Sequence, residues 1–323
     1  MSKKFYIPFL IVLMGLSGFF FYKRISGQHL FDAEFQKRHQ QFIPKLPKDL
    51  TFAGEKVHFK NPGAYKLYYK ELKINTSNNS STRLLLKNVR LWMPQIEQVL
   101  KAGHIPLDFK YLAIAESGLS NVVSQRGAAG FWQFRESTAI SYGLEVNNEV
   151  DERYHPLRST RAACKYFKEA HQFFGNWTSA AASFNRGING LDRAYKKQGT
   201  LSYYDLDLNY ETSRYLFKVI ALKDLISRPK KYQMHVSKPH KIHIDYLKVD
   251  TTIHDLKTFA AKRGINYQLL LDFNPWLLKN SLTIKEPGKV YYLALPQPSS
   301  LPKAQMRDSV PAPATDKKHV EKA

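Results

Sequence analysis

The chain has 323 residues, enough for one sizeable core and a second small unit. Lys and Arg number 49 against 27 Asp and Glu, a formal charge of +22, while 43% hydrophobic and 13% aromatic residues exclude a wholly disordered protein. Such a charge favours polyanions: nucleic acid, an anionic lipid surface, or an acidic cell-wall polymer. No zinc-ligand spacing or RNA-binding aromatic signature is present, which argues against nucleic acid. The single cysteine, Cys164, excludes an internal disulfide framework. It shares an apolar helix stripe with Phe167 and is expected to be buried.

At the N-terminus MSKK precedes FYIPFLIVLMGLSGFFFY, followed by Lys23 and Arg24. A basic start and an apolar run of about 18 residues, just enough to span a bilayer, read as an uncleaved signal anchor over residues 1–24. A cleaved signal peptide is the alternative. Residues 25–79 read as a tether and N-terminal extension, polar at first, with Pro44 and Pro47, and then with a short helix in NPGAYKLYYKELKIN. Ser80, Ser81 and Thr82 are capping candidates for the next helix.

From residue 82 to about 228 the helical period dominates, with no alternation of strands and helices. LLLKNVRLWMPQIEQVLKAG is one amphipathic helix ending near Gly103, and LDFKYLAIAESG is the next. GFWQFRESTAISYG starts another after a glycine-rich loop. HPLRSTRAACKYFKEAHQFFGN has proline in its first turn, NWTSAAASFNRG and INGLDRAYKKQG are a pair broken at Gly187, and NYETSRYLFKVIALKDLISRP closes the series. Beyond Pro229 the pattern changes to strand, helix, helix, strand over about 50 residues, the signature of a small separate module. The tail from 297 is rich in Pro, Ser, Lys and Ala and is expected to be disordered.

One residue breaks the pattern. Glu116 follows Phe109, Leu112 and Ala113 at helical spacing, so a carboxylate lies on the apolar face. Ser117-Gly118 then ends the helix. Partial burial and the negative end of the helix dipole both raise its pKa. A carboxyl kept protonated near neutrality is suited to general-acid chemistry.

The blocks ESGLSNVVSQRGAAGFWQF, STA and YGL, VDERYHPLRSTRAACKYF, NWTSAAASFNRGINGLDRA and ETSRYLFKVIALKDLI occur in one order over about residues 80–230. Together they resemble the lytic murein transglycosylases, especially the membrane-bound type D group. The resemblance implies a mainly α fold: a lysozyme-like (goose-type) all-helical catalytic domain at 80–230. The small α+β segment at 240–296 is similar to a LysM module. Its opening, VDTTIHDL, departs from the usual pattern.

Position by position, the resemblance makes Glu116 the sole catalytic acid/base. It makes Ser124, Gln133, Asn185 and Tyr215 substrate-binding residues. Phe184 stands where the family commonly has tyrosine, so a hydroxyl is missing there. The implied reaction is non-hydrolytic cleavage of the MurNAc–GlcNAc bond with formation of 1,6-anhydromuramic acid. The alternatives are a hydrolytic muramidase on the same fold or a non-catalytic wall-binding protein. The expected partners are peptidoglycan glycan strands and, through the N-terminal segment, a membrane at the periplasmic side of a bacterial envelope. The oligomeric state is unknown.

A hydrolase would need a second carboxylate. Glu136, Asp151 and Glu152 are nearest in sequence, and all three read as surface charge. Trp132, Phe131 and Phe134 read as core. His235, His240 and His243 lie in a basic linker without fixed carboxylate or cysteine partners, so no metal and no cofactor are expected.

Overall fold

The computed structural model describes residues 50–59, 62–76, 80–232, 242–297 and 300. The expected anchor at 1–24, the first part of the tether, His235, His240 and the tail beyond 300 lie outside the described residues. Among the described residues, no helix is long and apolar enough to cross a membrane.

The helical part is built around one helix buried on most of its faces. Among the described residues eight helices contribute: α1 (Pro62–Thr76), α2 (Ser80–Ala102), α3 (Lys110–Ser117), α4 (Glu136–Ser141), α5 (Pro156–Phe174), α6 (Trp177–Arg186), α7 (Ile188–Gln198) and α8 (Tyr210–Ser227). In α8, Leu216, Val219, Ile220, Leu222 and Leu225 are all buried, so apolar residues occupy more than one stripe. It accordingly packs against α1, α3 and α6. Its start is fixed by the Asn209 side chain, which accepts the Thr212 amide (3.0 Å).

The N-terminal extension is part of this unit. Tyr68 on α1 donates its hydroxyl to Asp224 of α8 (2.6 Å), and buried Glu71 pairs with Arg214. A hairpin of two short strands, β1 (Thr51–Phe52) and β2 (Glu55–Lys56), precedes α1. The Glu55 carboxylate accepts the amides of Trp177 (2.6 Å) and Thr178 (2.8 Å) at the N-terminus of α6, where the helix dipole favours negative charge.

Phe109, Leu112, Ile96, Leu100, Phe167 and Trp132 form the centre of the core. Trp132 is fully buried, its indole N–H satisfied by Thr160 (2.9 Å), and Phe131 and Phe134 are buried beside it, as core residues. Cys164 is buried under Gly103, and burial pushes its thiol up to about 11.

Two local expectations are corrected. The segment from Gly130 does not enter a helix until Glu136, because isolated bridges at Val123, Ala129 and Phe134 and positive φ at Gly127, Gly130 and Gln133 hold it as a compact turn. Thr82 does not cap α2. It lies inside that helix, and its hydroxyl donates to the Asn75 carbonyl (3.4 Å).

The C-terminal part has the expected order: strand β3 (Ile244–Val249), helices α9 (Leu256–Ala261) and α10 (Tyr267–Phe273), and strand β4 (Tyr291–Pro296). β3 and β4 are antiparallel, in register from Ile244↔Pro296 to Val249↔Tyr291. Leu256, Leu270, Trp276 and Leu293 form its core, and that core also takes in Val150 from the helical part.

Candidate active site

The site is built where α3 ends against α8. Phe109, Leu112 and Ala113 are fully buried, which fixes the face on which Glu116 emerges. Gly118 ends the helix in the left-handed conformation (φ 62°), its amide still bonded to the Ile114 carbonyl. The loop that follows is held from α2, where the Asn88 amide donates to the Gly118 carbonyl (3.1 Å) and to Ser120 Oγ (2.9 Å). Ser117 donates to the Phe131 carbonyl (2.8 Å), so the residue after Glu116 ties the helix end to the glycine turn.

Glu116 is half-buried. Burial pushes its carboxyl up from 4.5 to about 7, against opposing interactions with Tyr215 and the Lys218 ammonium. Tyr215 is itself buried, and its hydroxyl faces the Glu116 carboxyl without completing a well-formed hydrogen bond. Burial first, then the carboxylate, hold that phenol well above its usual value. No arginine pairs with Glu116 among the described residues. That separates it from the buried ion pairs elsewhere in the chain and leaves its proton available.

Lys218 is a site residue that sequence reading missed. It lies one turn after Tyr215 on α8, and its ammonium bonds the Ala115 carbonyl, directly before Glu116. Burial lowers its pKa, and Glu116 opposes that shift. The i, i+3 spacing from Tyr215 was the only available signal.

Ser124 and Gln133 stand at the two ends of the glycine turn. Ser124 Oγ accepts the Ala128 amide (3.0 Å), while its backbone bonds Ala128 and Gly127. The serine therefore closes the turn and keeps its own hydroxyl proton to donate outward. Gln133 adopts positive φ (50°). Its Nε2 is held by the carbonyls of Val122 (2.9 Å) and Gly130 (2.8 Å), leaving the amide oxygen to accept. Asn185 is exposed on the last turn of α6. The preceding Phe184 packs edge-on against Trp132 and Phe134, which joins this helix end to the glycine turn. Phe184 thus fills an aromatic cluster with Tyr166 and Phe167. Glu116 and Tyr215 are brought together directly. Ser124 and Gln133 are joined through the turn, and Asn185 is linked to it only through the packing of its neighbour Phe184.

Of the three other carboxylates, Glu136 is exposed in the first turn of α4, as surface charge. Asp151 and Glu152 are not surface charge. Both are buried, Asp151 paired with Arg153 (2.7 Å) and Glu152 with Arg158 (3.1 Å). Their polar neighbourhood in sequence becomes two ion pairs in the fold, each with its carboxylate buried. His243 uses its backbone amide to bond Ser300 (2.9 Å), and among the described residues no three His, Cys, Asp or Glu side chains gather to hold a metal.

A carboxyl held near neutral pKa beside a glycine-rich turn is suited to acid/base chemistry. The chain carries a transglycosylase SLT domain at residues 94–206, followed by a soluble lytic transglycosylase C-terminal LysM-like domain at residues 245–299. It is homologous to the membrane-bound lytic murein transglycosylase D of Escherichia coli K12. The two are 27% identical over 190 residues, which cover 53% of this chain and 42% of that protein. The protein of the same name from E. coli O6:H1 matches with the same identity and coverage. The chain thus spans less than half the length of these relatives.

Proposed function

We propose that the chain is a peptidoglycan lytic transglycosylase in which Glu116 acts first as general acid and then as general base. The observation that carries this reading is the half-buried Glu116 carboxyl, raised to about 7 and, among the described residues, free of an arginine partner. Protonated, it donates to the glycosidic oxygen between N-acetylmuramic acid and N-acetylglucosamine, and the bond from C1 to that oxygen breaks. The resulting carboxylate takes the proton of the muramyl C6 hydroxyl, whose oxygen closes on C1 to give the 1,6-anhydro ring. The proton count balances, Glu116 returns to its starting state, and no water is consumed. One carboxylate therefore suffices where two-carboxylate glycosidases need a pair.

Tyr215 and Lys218 stabilise the ionised form that appears between the two steps. In this reading the Ser124 hydroxyl, the Gln133 amide oxygen and the exposed Asn185 side chain bond the glycan. The pairing of Asp151 and Glu152 with arginines leaves neither free to activate a water, which favours the transglycosylase over a muramidase.

In this reading residues 80–230 form the catalytic unit and 240–296 the LysM-like module. Residues 1–24 anchor the chain so that it meets peptidoglycan on the periplasmic side. The +22 charge complements the carboxylates of the peptide stems.

Mass spectrometry of muropeptides released from purified peptidoglycan tests the function. Products ending in 1,6-anhydromuramic acid are expected. Products one water heavier would establish a muramidase instead, and no products from folded protein would favour a binding role or a missing activating partner.

A further inference from the structure

Residues 145–155 join the C-terminal module to the helical part, and the same segment holds the glycine turn. On the module side, the Leu278 amide donates to the Glu149 carbonyl (2.9 Å) and the Asp151 amide to the Trp276 carbonyl (3.0 Å). Val150 and Leu277 form an antiparallel bridge, and both side chains are buried. The Glu149 carboxylate accepts the Ser281 hydroxyl and, at 3.2 Å each, the amide and hydroxyl of Thr283. The Glu145 carboxylate accepts the Tyr291 hydroxyl (2.9 Å) and pairs with Lys289 (2.8 Å). The ring of His155 stacks on Trp276, centroids 5.6 Å apart. Paired backbone, apolar contact and satisfied carboxylates make this seam resemble a domain interior more than a linker.

On the cleft side, the Arg153 guanidinium bonds both oxygens of Asp151 (3.0 Å from Nε, 2.7 Å from Nη2) and the Gly127 carbonyl (3.0 Å from Nη1). The Arg153 carbonyl lies so close to Gly130 that a Cβ there would fall 1.8 Å from it. Asp151 therefore belongs to both sides. Its amide reaches the module, and its carboxylate holds the arginine that braces the turn carrying Ser124 and Gln133.

We propose that the C-terminal module is a buttress of the cleft. Docked on residues 145–151, it fixes Asp151 and Arg153, and through them the Gly127–Gly130 turn. Asp151 and Arg153 are then positioning residues, and the module contributes to turnover without touching the reacting bond. This rests on the proposed reading of the turn as glycan-facing. A module that only tethered the protein to its polymer would act through effective concentration, and so through KM on long strands alone. A buttress acts on kcat with fragments of any length, because misplacing a positioning group costs rate wherever the substrate ends.

The test is steady-state kinetics of the full chain on long glycan strands and on a soluble fragment of two disaccharides. Leu277→Glu places a charge beside Val150 and opens the seam, which hydrogen exchange at the Asp151 and Leu278 amides reports. With those amides unprotected, kcat on the short fragment is expected to fall about tenfold or more. Arg153→Lys acts on the cleft side. It is expected to lower kcat on the fragment while the seam amides stay protected, which a loss of folding would not reproduce. Tyr292→Thr, on the exposed face of β4, is the control expected to keep the parent kcat.

An open seam with the parent kcat on the fragment, or a change confined to KM on long strands, would overturn the proposal. So would Arg153→Lys with unchanged kcat. Gln133→Ala separates the two readings. If it is impaired while Leu277→Glu is not, the buttress alone fails. If Gln133→Ala leaves both constants unchanged, the glycan-facing turn fails and the buttress with it.

Discussion

Glu116 and Glu149 are carboxylates removed from bulk water in the same chain, and they titrate in opposite directions. At Glu149 burial raises the pKa, but hydrogen bonds from Ser281 and Thr283 outweigh it and the net shift is downward. At Glu116 burial also raises the pKa, and the opposing groups are a phenol without a well-formed bond and an ammonium engaged with a carbonyl, so burial wins. The difference lies in donor supply. A carboxylate given several donors is held ionised and becomes structural. One given few keeps a transferable proton. The seam belongs to the first kind, with Glu145 and Glu149 both partnered and shifted downward, and the cleft to the second.

Removing the cleft carboxyl is the largest way to break this contrast. Glu116→Gln keeps the shape and removes the proton, so release of muropeptides should fall by about 10³-fold or more. Stability should change the other way. The folded pKa of about 7 lies above the ordinary 4.5, so the stability tied to the proton is present below 4.5 and lost as pH rises through 7. At pH 8 the glutamine variant should be more stable than the parent by about 1–3 kcal/mol, and at pH 4 the two should match. Chemical denaturation at the two pH values checks this. A glutamine variant less stable than the parent at pH 8 would show that Glu116 is a paired structural carboxylate after all.

A smaller change sharpens the comparison by altering the donors. Because protonated Glu116 begins the reaction, kcat/KM should decline above about pH 7, tenfold per unit. Lys218 favours the ionised form, so Lys218→Met should move this limb upward by up to about one pH unit. A pH–rate profile on a soluble fragment measures it. A limb that stays in place would mean that the ammonium serves only to hold the Ala115 carbonyl.

The cleft was largely legible in the sequence and the seam was not, for physical reasons. Glu116 stands out because helical periodicity makes an acid on an apolar face conspicuous from its neighbours alone. Cys164 was legible as core for the same reason, and Trp132 because a large aromatic ring is usually buried. Gly127 and Gly130 announce a turn, but not that its brace is Arg153, more than twenty residues on. Asp151 and Glu152 looked like surface charge because a polar stretch reads as a loop. Their burial depends on arginines whose side-chain directions are tertiary facts, and on a module that begins about ninety residues later. Lys218 was missed because a lysine on an amphipathic helix is usually solvent-facing.

The smallest effect expected concerns the seam and is read at mildly acidic pH. His155 is buried against Trp276 with Arg158 and Arg161 nearby, and burial first, then those arginines, hold its pKa down at about 3. In the unfolded chain it titrates near 6.5. The stability it gives by staying neutral is therefore complete above about pH 6.5 and is lost as pH falls toward 3. His155→Phe keeps a flat ring on Trp276 and removes both the titration and a ring nitrogen, Nδ1, that is buried without a partner. At pH 8 it should leave stability unchanged or slightly raised. At pH 5.5 it should make the protein more stable than the parent by about 1 kcal/mol, because only the parent's unfolded state still gains a proton there. Thermal melts at the two pH values resolve this. An acid-sensitive variant matching the parent would assign the acid limb to the carboxylates of the seam, whose lowered pKa values at Glu145 and Glu149 act in the same direction.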